Sequence, residues 1–377
     1  MHSTAPTLLL TGATGLVGGE LIPLLLSTGP DRHLALLTRH RHRLAHLTGP
    51  FVSIIEGDLR LPAFGLQPAE IERLRSSTTE IIHCAADTRF DQAIDDARAA
   101  NVATTERVLE FARRCPRLAK LAHVSTVYVA GRATGRFAEA YARHDRGYVN
   151  NYQQSKHEAE ESVAAAMDDL PIAIYRLSSL IGDASSGCVS QFNYIHQLIR
   201  MMPRNVLPVI PGDPHAPVDL IPSDWAIGAL AILFEDAFAA GAVHQICAGP
   251  GRTLAVREVI DRTCAGFERH EKARRWLPLR VPDLVPLDEY NRFIEQRSKR
   301  NDALFRELVR VLNLMLPHLA LPQTFETAAT RAALDARGWA LPPMAAVYDN
   351  VIAYCIDTDW GQTSRPSLRS GDAAIVG

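Results

Sequence analysis

The chain has 377 residues, 47% of them hydrophobic, and its formal net charge is −2. This composition supports a folded core and excludes a disordered chain, and the near-neutral charge gives no reason to expect nucleic acid or an anionic membrane as a partner. The length exceeds what one compact domain usually needs, so we expect a large domain with a smaller appendage.

In the first half of the chain, short apolar runs alternate with longer amphipathic stretches. The predicted strands are residues 7–11, 33–38, 52–56, 80–85, 120–129 and 172–177, and the predicted helices are 16–28, 97–114 and 151–167. Alternating strands and helices indicate a parallel sheet with helices on both faces, and right-handed crossovers make a doubly wound Rossmann-type α/β fold the simplest solution.

The pattern loosens after about residue 185, where six prolines between residues 203 and 222 indicate a loop-like segment. A helix (223–234) and a strand (242–248) follow, and residues 287–316 form a helical stretch with a break near 298–302. We assign residues 1–184, with 219–250, to the Rossmann-type domain. Residues 185–218 and 251–361 are predicted to be a mostly helical substrate-binding lid, and 362–377 a disordered tail.

The spacing of the cysteines and the hydropathy of the chain indicate its cellular compartment. The six cysteines are scattered, without a C-x-x-C pair or a spacing shared with histidine, which predicts neither a disulfide framework nor a metal site. No signal peptide pattern is present, and the strongest apolar run, residues 304–316, carries three charged side chains. We therefore expect a cytoplasmic protein with no integral membrane segment.

A glycine-rich turn follows the first predicted strand and opens the first helix: Thr11-Gly12-Ala13-Thr14-Gly15-Leu16-Val17-Gly18. Gly12 permits the tight turn, Gly15 allows the backbone to approach a pyrophosphate, and Gly18 permits close helix packing. The helix N-terminus attracts the phosphate charge. We expect dinucleotide binding by this turn, against the alternative of a purely structural turn.

The end of the second predicted strand indicates which dinucleotide binds. An acidic residue there would favour NAD, but the sequence offers Arg39, which can pair with a 2′-phosphate. NADPH is therefore the expected cofactor, with NADH as the alternative; the basic run at 40–42 is interpreted as solvated. Asp58 and Leu59, after the third strand, are placed near the adenine, or else form a plain turn.

Tyr152 and Lys156 lie four residues apart at the start of a predicted helix, on one face. A nearby ammonium should lower the phenol pKa, which would let the tyrosine exchange a proton with a carbonyl or alcohol oxygen. Because the pair follows a predicted nucleotide-binding half, we interpret it as catalytic rather than as a feature of one helix face. A hydroxyl at the end of the fifth strand, Thr126 in preference to Ser125, would stabilise charge on the substrate oxygen.

These motifs resemble the extended short-chain dehydrogenase/reductase superfamily over about the first 250 residues. The matching segments are TGATGLVGG, GDL at 57–59, HCAADT at 83–88, Asn101-Val102, VSTVYVAG, NNYQQSK, YRLS at 175–178 and VDLIPSDW at 218–225. Within this superfamily, the chain is most similar to fatty acyl-CoA reductases and to the thioester-reductase domains of carboxylic acid reductases and peptide synthetases.

The resemblance implies NADPH-dependent reduction of an acyl thioester, held by coenzyme A or a carrier protein, to an aldehyde or alcohol. It implies a triad of Thr126, Tyr152 and Lys156. Further implied cofactor contacts are Arg43, Ala85, Ala86, Asn101 and Leu177, with Tyr152 and Lys156 also touching the cofactor.

Several alternatives stay open. The chain could reduce a ketone or oxidise an alcohol, act as a nucleotide-sugar epimerase or dehydratase, or sense nucleotides without chemistry. The basic end of the second strand argues against an epimerase, and the intact Tyr152–Lys156 pair argues against a sensor. Apolar residues at 304, 308, 311, 312 and 315 could line an acyl channel or pack in the core. Arg274, Arg275 and Arg280 could meet phosphates or an acidic carrier, or form a solvated patch.

Overall fold

The computed structural model describes residues 6–28, 32–47, 49–204, 208–276, 278–298, 305, 309–310 and 312–362. The strands are β1 Thr7–Thr11, β2 His33–Thr38, β3 Val52–Glu56, β4 Thr78–His83, β5 Lys120–Thr126, β6 Gly135–Phe137, β7 Ile172–Leu177, β8 Ser179–Leu180, β9 Val209–Pro211, β10 Pro217–Val218, β11 Leu220–Ile221, β12 Val243–Ile246, β13 Leu254–Ala255, β14 Asp283–Val285 and β15 Gln323–Phe325. The helices are α1 Leu16–Thr28, α2 Pro68–Ser77, α3 Ile94–Arg113, α4 Asn151–Ala164, α5 Tyr194–Met201, α6 Ser223–Glu235, α7 Val256–Arg269, α8 Leu287–Ser298, α9 Ala328–Asp335 and α10 Met344–Asp357.

A seven-stranded parallel sheet forms the centre of the fold. Its order is β12-β7-β5-β4-β1-β2-β3, and every neighbouring pair runs parallel. The predicted Rossmann-type fold is confirmed. Every residue of β1 is buried, as expected for a strand covered on both faces. The strand order reverses between β1 and β4, which opens a crevice at the carboxyl edge of the sheet.

Four strands and the first helix have the predicted bounds, but two strands end earlier than predicted. β4 spans Thr78–His83 rather than 80–85, because the chain leaves the sheet where Cys84 and Ala85 pass over Gly12. β5 ends at Thr126 rather than 129. The Thr126 hydroxyl accepts from the Tyr128 amide at 3.3 Å and caps a 3-10 turn over Val127–Ala130, which ends the strand.

Other predicted bounds were wrong by a few residues, and one helix was missed. The observed bounds replace the predicted ones for α3, α4, α6 and β12. Helix α2 was not predicted because it buries only Ile71 and Leu74, too narrow an apolar stripe to give a clear helical period. The proline-rich segment is also not a plain loop, since it contains β9, β10 and β11.

The C-terminal part packs directly on the sheet and its helices. Residues of α10, including Val347, Tyr348 and Val351, belong to the same buried cluster as Leu8 and Leu10 of β1. The short pairs β9–β14 and β6–β15 tie the later chain to earlier loops. The domain bounds given above remain a prediction.

The predicted helical stretch 287–316 is described only in part. Its first portion is α8, and residues 299–304, with the predicted apolar positions 304, 308 and 311, lie outside the described residues. Leu312 and Met315 are buried. The predicted tail lies outside the described residues from position 363 onward. Across the described ranges, no helix combines the length and apolar character needed to cross a bilayer.

Candidate active site

The glycine turn lies at the carboxyl end of β1, in the crevice between β1 and β4. Gly12 has φ of +78°, which favours glycine, and a Cβ there would lie 2.6 Å from the Ala85 amide nitrogen. A Cβ on Gly18 would collide with the Gly12 carbonyl oxygen. Gly15 is exposed, and its amide donates to the Gly12 oxygen at 2.9 Å. These glycines leave a shallow backbone cradle at the α1 N-terminus, which fits a pyrophosphate.

The remaining residues predicted in this turn have different environments. Thr14, Leu16 and Val17 are half-buried, whereas Thr11 is fully buried. Thr11 Oγ1 lies 2.8 Å from His83 Nδ1 and accepts from the Ala85 amide at 3.4 Å. Burial lowers the pKa of His83 to about 3, so its ring is neutral at pH 7. The turn is thereby fixed to the end of β4, where Ala85 and the exposed Ala86 follow.

Two Asp–Arg pairs border the predicted adenosine end of the crevice. Asp58 pairs with Arg60 and Asp87 with Arg89, both at 2.6 Å. These arginines lower the pKa of each carboxyl through hydrogen bonds, and Arg39 adds a smaller effect on both. Arg39 therefore lies near the ends of β3 and β4. Leu59 is half-buried beside Asp58.

Arg39 and Arg43 are both exposed, and Arg43 lies in a short 3-10 turn over Arg41–Leu44. Both aspartates that could have accepted from a ribose are already neutralised by their own arginines. The positive charge that remains at this end of the crevice favours an anionic group.

The predicted catalytic residues converge at the carboxyl edge of the sheet. Thr126 ends β5, and its hydroxyl lies near enough to the Tyr152 phenol on α4 to affect the pKa of that phenol. Burial raises the pKa of Tyr152 to about 12, while the Thr126 hydroxyl acts in the opposite direction. The expected lowering of this pKa was therefore wrong for the structure, because burial outweighs the other effects. A phenol with this pKa is protonated at neutral pH and can donate a proton.

Lys156 lies one turn after Tyr152 and is 3% exposed. Its Nζ donates to the Val124 carbonyl oxygen at 2.9 Å. Burial lowers the pKa of Lys156 to about 8, although Glu160 raises it in part. Ser125 is buried, and its hydroxyl finds no hydrogen-bond partner within the described chain. Of the two predicted hydroxyls, Thr126 is the one that lies near the Tyr152 phenol.

Helix α4 is held in position from both ends. Asn150 caps it by accepting from the Gln153 amide at 3.1 Å. The buried Glu160 carboxylate forms a bidentate pair with Arg176 on β7, with the shorter bond at 2.7 Å. Tyr152 and Lys156 lie between these anchors, so their backbone is fixed to the sheet.

Asn101 connects the crevice to α4 from the side of α3. Its Nδ2 donates to the Ser155 hydroxyl at 2.9 Å and to the Asp87 carbonyl, and its Oδ1 accepts from the Asp87 amide. Both polar atoms of this buried amide are thus committed to protein partners. Leu177 is buried at the end of β7, opposite Thr126 in register.

The structure adds residues that the sequence did not single out. Phe90 contacts the rings of both Tyr152 and Tyr194, with centroids 5.6 Å apart in each case. The Tyr128 ring contacts His318 edge-on at 5.1 Å. Tyr128 lies within the quoted VSTVYVAG segment, and Phe90 follows the quoted HCAADT segment by two residues, so closeness to those motifs was the available signal. Tyr194 and His318 are distant in sequence and left no signal.

Beyond Tyr194 lies an apolar cavity of about 100 Å³ that opens to solvent. Its walls come mainly from α5, α7 and the segment after α8, with further residues from β9, the segment before β14 and α10: Ile195, Leu198, Ile199, Met201, Met202, Ile210, Val256, Val259, Ile260, Thr263, Arg280, Pro282, Leu312, Leu316, Leu319 and Tyr348. Leu312 therefore lines a cavity as well as packing in the core. Arg274 and Arg280 are exposed; the Arg275 side chain lies outside the described structure.

The fold and this crevice define a nicotinamide-dependent oxidoreductase of the extended short-chain dehydrogenase/reductase class. Residues 10–230 match the NAD-binding family model described as male sterility protein, and the chain belongs to that family. The sequence-based resemblance is confirmed.

Similar proteins include large synthetases and acyl reductases. Over 212 residues the chain is 33% identical to the hybrid PKS-NRPS synthetase pydA of an Acremonium species, covering 54% of this chain and 5% of that protein. Over 207 residues it is 26% identical to the fatty acyl-CoA reductase wat of Drosophila melanogaster, covering 48% of this chain and 40% of that protein. The chain thus spans less than half the length of these relatives.

Solved structures share the fold over nearly the whole chain. The terminal R domain of the myxalamid PKS-NRPS pathway superposes with a TM-score of 0.76 at 22% identity, covering 96% of this chain and 93% of that one. A UDP-glucuronic acid 4-epimerase from Bacillus cereus in complex with NAD has a TM-score of 0.63 at 16% identity, covering 96% and 99%.

Proposed function

We propose that the chain is an NADPH-dependent reductase of acyl thioesters that releases an aldehyde or alcohol. The observation that carries the proposal is the Thr126 hydroxyl near a protonated Tyr152, in a chain that also has an apolar cavity next to Tyr194, called the acyl cavity below. An apolar lining of this kind suits an acyl chain better than a sugar nucleotide, which needs many polar partners. Similarity to a fatty acyl-CoA reductase and to R domains supports the same substrate class.

The preference for NADPH rests on Arg39. Its guanidinium can pair with a 2′-phosphate through two parallel hydrogen bonds. Asp58 and Asp87 are occupied by Arg60 and Arg89, so neither carboxylate is free to repel that phosphate. Arg43 adds a second exposed positive charge after β2.

The cofactor, when bound on the glycine turn, supplies the reducing equivalents. Tyr152 holds the proton that the reduced carbonyl oxygen receives, and Thr126 donates to the same oxygen and stabilises its developing charge. The C–S bond then breaks: the thiol of coenzyme A or of the carrier leaves with the proton of that oxygen, and the carbonyl re-forms as the aldehyde. Lys156, with its ammonium fixed at the Val124 oxygen, places positive charge beside the phenol once the proton has left. Tyr152 and Lys156 would also contact the cofactor. Ser125 is left without a chemical role.

The acyl donor is coenzyme A or a separate carrier protein, and Arg274 and Arg280 are candidates for its phosphate or acidic surface. Arg280 lies at the wall of the acyl cavity, where a pantetheine arm would enter. The six free cysteines fit a reducing compartment such as the cytoplasm.

The decisive experiment measures nicotinamide absorbance with NADPH or NADH against acyl-CoAs of several lengths, ketones and UDP-glucuronic acid. We expect NADPH oxidation with acyl-CoA and aldehyde release. Turnover of ketones alone would favour a carbonyl reductase. Conversion of UDP-glucuronic acid, followed by chromatography because epimerisation leaves no net change in the nicotinamide absorbance, would favour an epimerase. NADPH binding without any turnover would favour a nucleotide sensor.

A further inference from the structure

Three hydroxyl groups form a closed ring near Phe90, whose ring contacts that of Tyr152. The Tyr128 oxygen lies 2.7 Å from Ser179 Oγ and 2.9 Å from the Tyr194 oxygen, and the last two lie 2.5 Å apart. We call this group the hydroxyl ring. None of its members belongs to the proposed triad.

Two contacts link the hydroxyl ring to the proposed triad. Tyr128 follows Thr126 by two residues, and its backbone amide donates to the Thr126 hydroxyl. Phe90 contacts both the Tyr152 ring and the Tyr194 ring, with centroids 5.6 Å away in each case. Tyr194 is therefore connected to Tyr152 through a single intervening aromatic ring.

Tyr128 and Tyr194 also line a second cavity, which shares the wall residues Ile195, Leu198 and Leu319 with the acyl cavity. The hydroxyl ring thus lies in a cavity wall that adjoins the acyl cavity. Other polar groups in this wall are already engaged: the Asp219 carboxylate accepts from the Ala248 and Gly249 amides.

Two further polar residues lie in this wall. His318 Nε2 lies 2.7 Å from the Gln153 amide nitrogen, and Gln323 Nε2 donates to the carbonyl oxygens of Gly131 and Ala133. Burial lowers the pKa of His318 to about 4, so it carries no charge at neutral pH. The hydroxyl ring is the cluster of hydroxyl groups in this wall.

Counting the hydroxyl protons shows whether the hydroxyl ring can still donate or accept a hydrogen bond. Each hydroxyl has a single proton, so three mutual hydrogen bonds require each member to donate once and accept once. All three protons are then used, while lone pairs remain. The hydroxyl ring can accept a further hydrogen bond from a ligand without loss, but it can donate one only by breaking an internal bond.

We propose that the hydroxyl ring is a specificity site for an acyl group that carries a hydrogen-bond donor, a hydroxyl or an amide N–H, close to its thioester carbonyl, with an apolar remainder in the acyl cavity. The proposal rests on the proposed function and narrows its substrate class. A keto group at the same position offers only an acceptor and gains nothing from the hydroxyl ring.

The test compares four pantetheine thioesters of matched chain length: octanoyl, 3-hydroxyoctanoyl, 3-oxooctanoyl and N-pentanoylglycyl. We expect kcat/KM with NADPH to be about threefold to tenfold higher for the hydroxy or the amide substrate than for octanoyl. The 3-oxo substrate should show no advantage. Whichever donor is preferred identifies its source as a hydroxyacyl or an aminoacyl group.

Variants test whether the preference for donor-bearing substrates comes from the hydroxyl ring. Tyr194→Phe and Ser179→Ala should reduce the donor-to-octanoyl ratio to about one. Tyr175→Phe is the matched control, because that buried hydroxyl has no partner in the described structure and lies away from the cavities, and it should keep the wild-type ratio. Thermal unfolding checks that each variant is folded, and Tyr128→Phe replaces any variant that is not.

Calorimetry with unreactive thioether analogues of the same acyl groups separates this proposal from the proposed function. Absence of thioester reduction with preferential binding of the donor analogues would reject the function and keep the specificity site. Equal binding and turnover of all four groups, or a preference that survives Tyr194→Phe, would overturn the specificity site alone.

Discussion

Lys156 Nζ donates to the carbonyl oxygen of Val124 at 2.9 Å, two residues before Thr126, whose hydroxyl lies near the Tyr152 phenol. A buried ammonium is thus anchored to the strand that carries the triad's hydroxyl. Because burial opposes its charge, Lys156 has a pKa of about 8, and its charge is lost within the range of ordinary assays.

The first prediction concerns the pH profile. Below pH 8 the ammonium is present and can stabilise charge on Tyr152; above it the ammonium titrates, so kcat/KM for thioester reduction should fall. The guanidinium of Lys156→Arg does not titrate near pH 8, so an active variant should show the fall in kcat/KM at a higher pH than the wild type. Steady-state assays from pH 6 to 10 measure kcat/KM for both proteins. A wild-type profile that stays level across pH 8 would contradict the assignment.

The second prediction concerns stability. The unfolded lysine has the ordinary pKa of 10.5 and binds more protons than the folded one between pH 8 and 10.5. Stability without cofactor should therefore rise with pH across that window. Lys156→Met removes the buried charge and should stabilise the fold at pH 7 by on the order of 2 kcal/mol while abolishing turnover. Denaturant unfolding measures this.

The exposed Lys272, which pairs with Asp357, provides the control. Lys272→Met should change stability by less than about 0.5 kcal/mol. If Lys156→Met were as destabilising as a core cavity, the ammonium would be better compensated than its contacts indicate.

The third prediction concerns Tyr152. Replacement by Phe removes the proton donor, so kcat should fall by about a hundredfold to ten-thousandfold. NADPH binding, measured by fluorescence titration, should persist because the glycine turn is intact. Tyr175→Phe, which removes an equivalent buried hydroxyl, should retain turnover. Substantial activity in Tyr152→Phe would remove this residue from the mechanism.

The fourth prediction concerns cofactor choice. Arg39→Ala should raise KM for NADPH by about tenfold or more through loss of the phosphate pairing, and should affect NADH little. Arg41→Ala serves as the control, because Arg41 follows Thr38 by three residues but is predicted to be solvated. An equal loss with both cofactors would show that Arg39 acts on something other than the 2′-phosphate.

The fifth prediction uses two adjacent glycines. A Cβ at Gly18 would collide with the Gly12 backbone, whereas a Cβ at Gly19 would lie 3.4 Å from the Ala13 carbonyl oxygen, an ordinary contact. Gly18→Ala should therefore weaken NADPH binding and lower the melting temperature, and Gly19→Ala should leave both nearly unchanged. Similar behaviour of the two variants would argue against the cradle.

The sequence predicted the sheet well because its strands are apolar runs bounded by glycine, proline or polar residues. The end of β5 was missed because a side-chain cap from Thr126, rather than a change in hydropathy, ends that strand. Tyr152, Lys156 and Thr126 were predicted by motif and register. Phe90, Tyr194 and His318 could not be, since long-range packing brings them together. The direction of the Tyr152 pKa shift depends on burial, which the local sequence does not show.

One feature of the core limits how this enzyme can open. Helix α10 shares a continuous apolar cluster with β1 and α6, so the late chain is not a separate lobe resting on the nucleotide-binding half. Swinging the two apart as rigid bodies about a hinge would expose that cluster to water, at a cost that grows with its area. Ligands must instead enter and leave through local rearrangement of side chains and loops around the crevice.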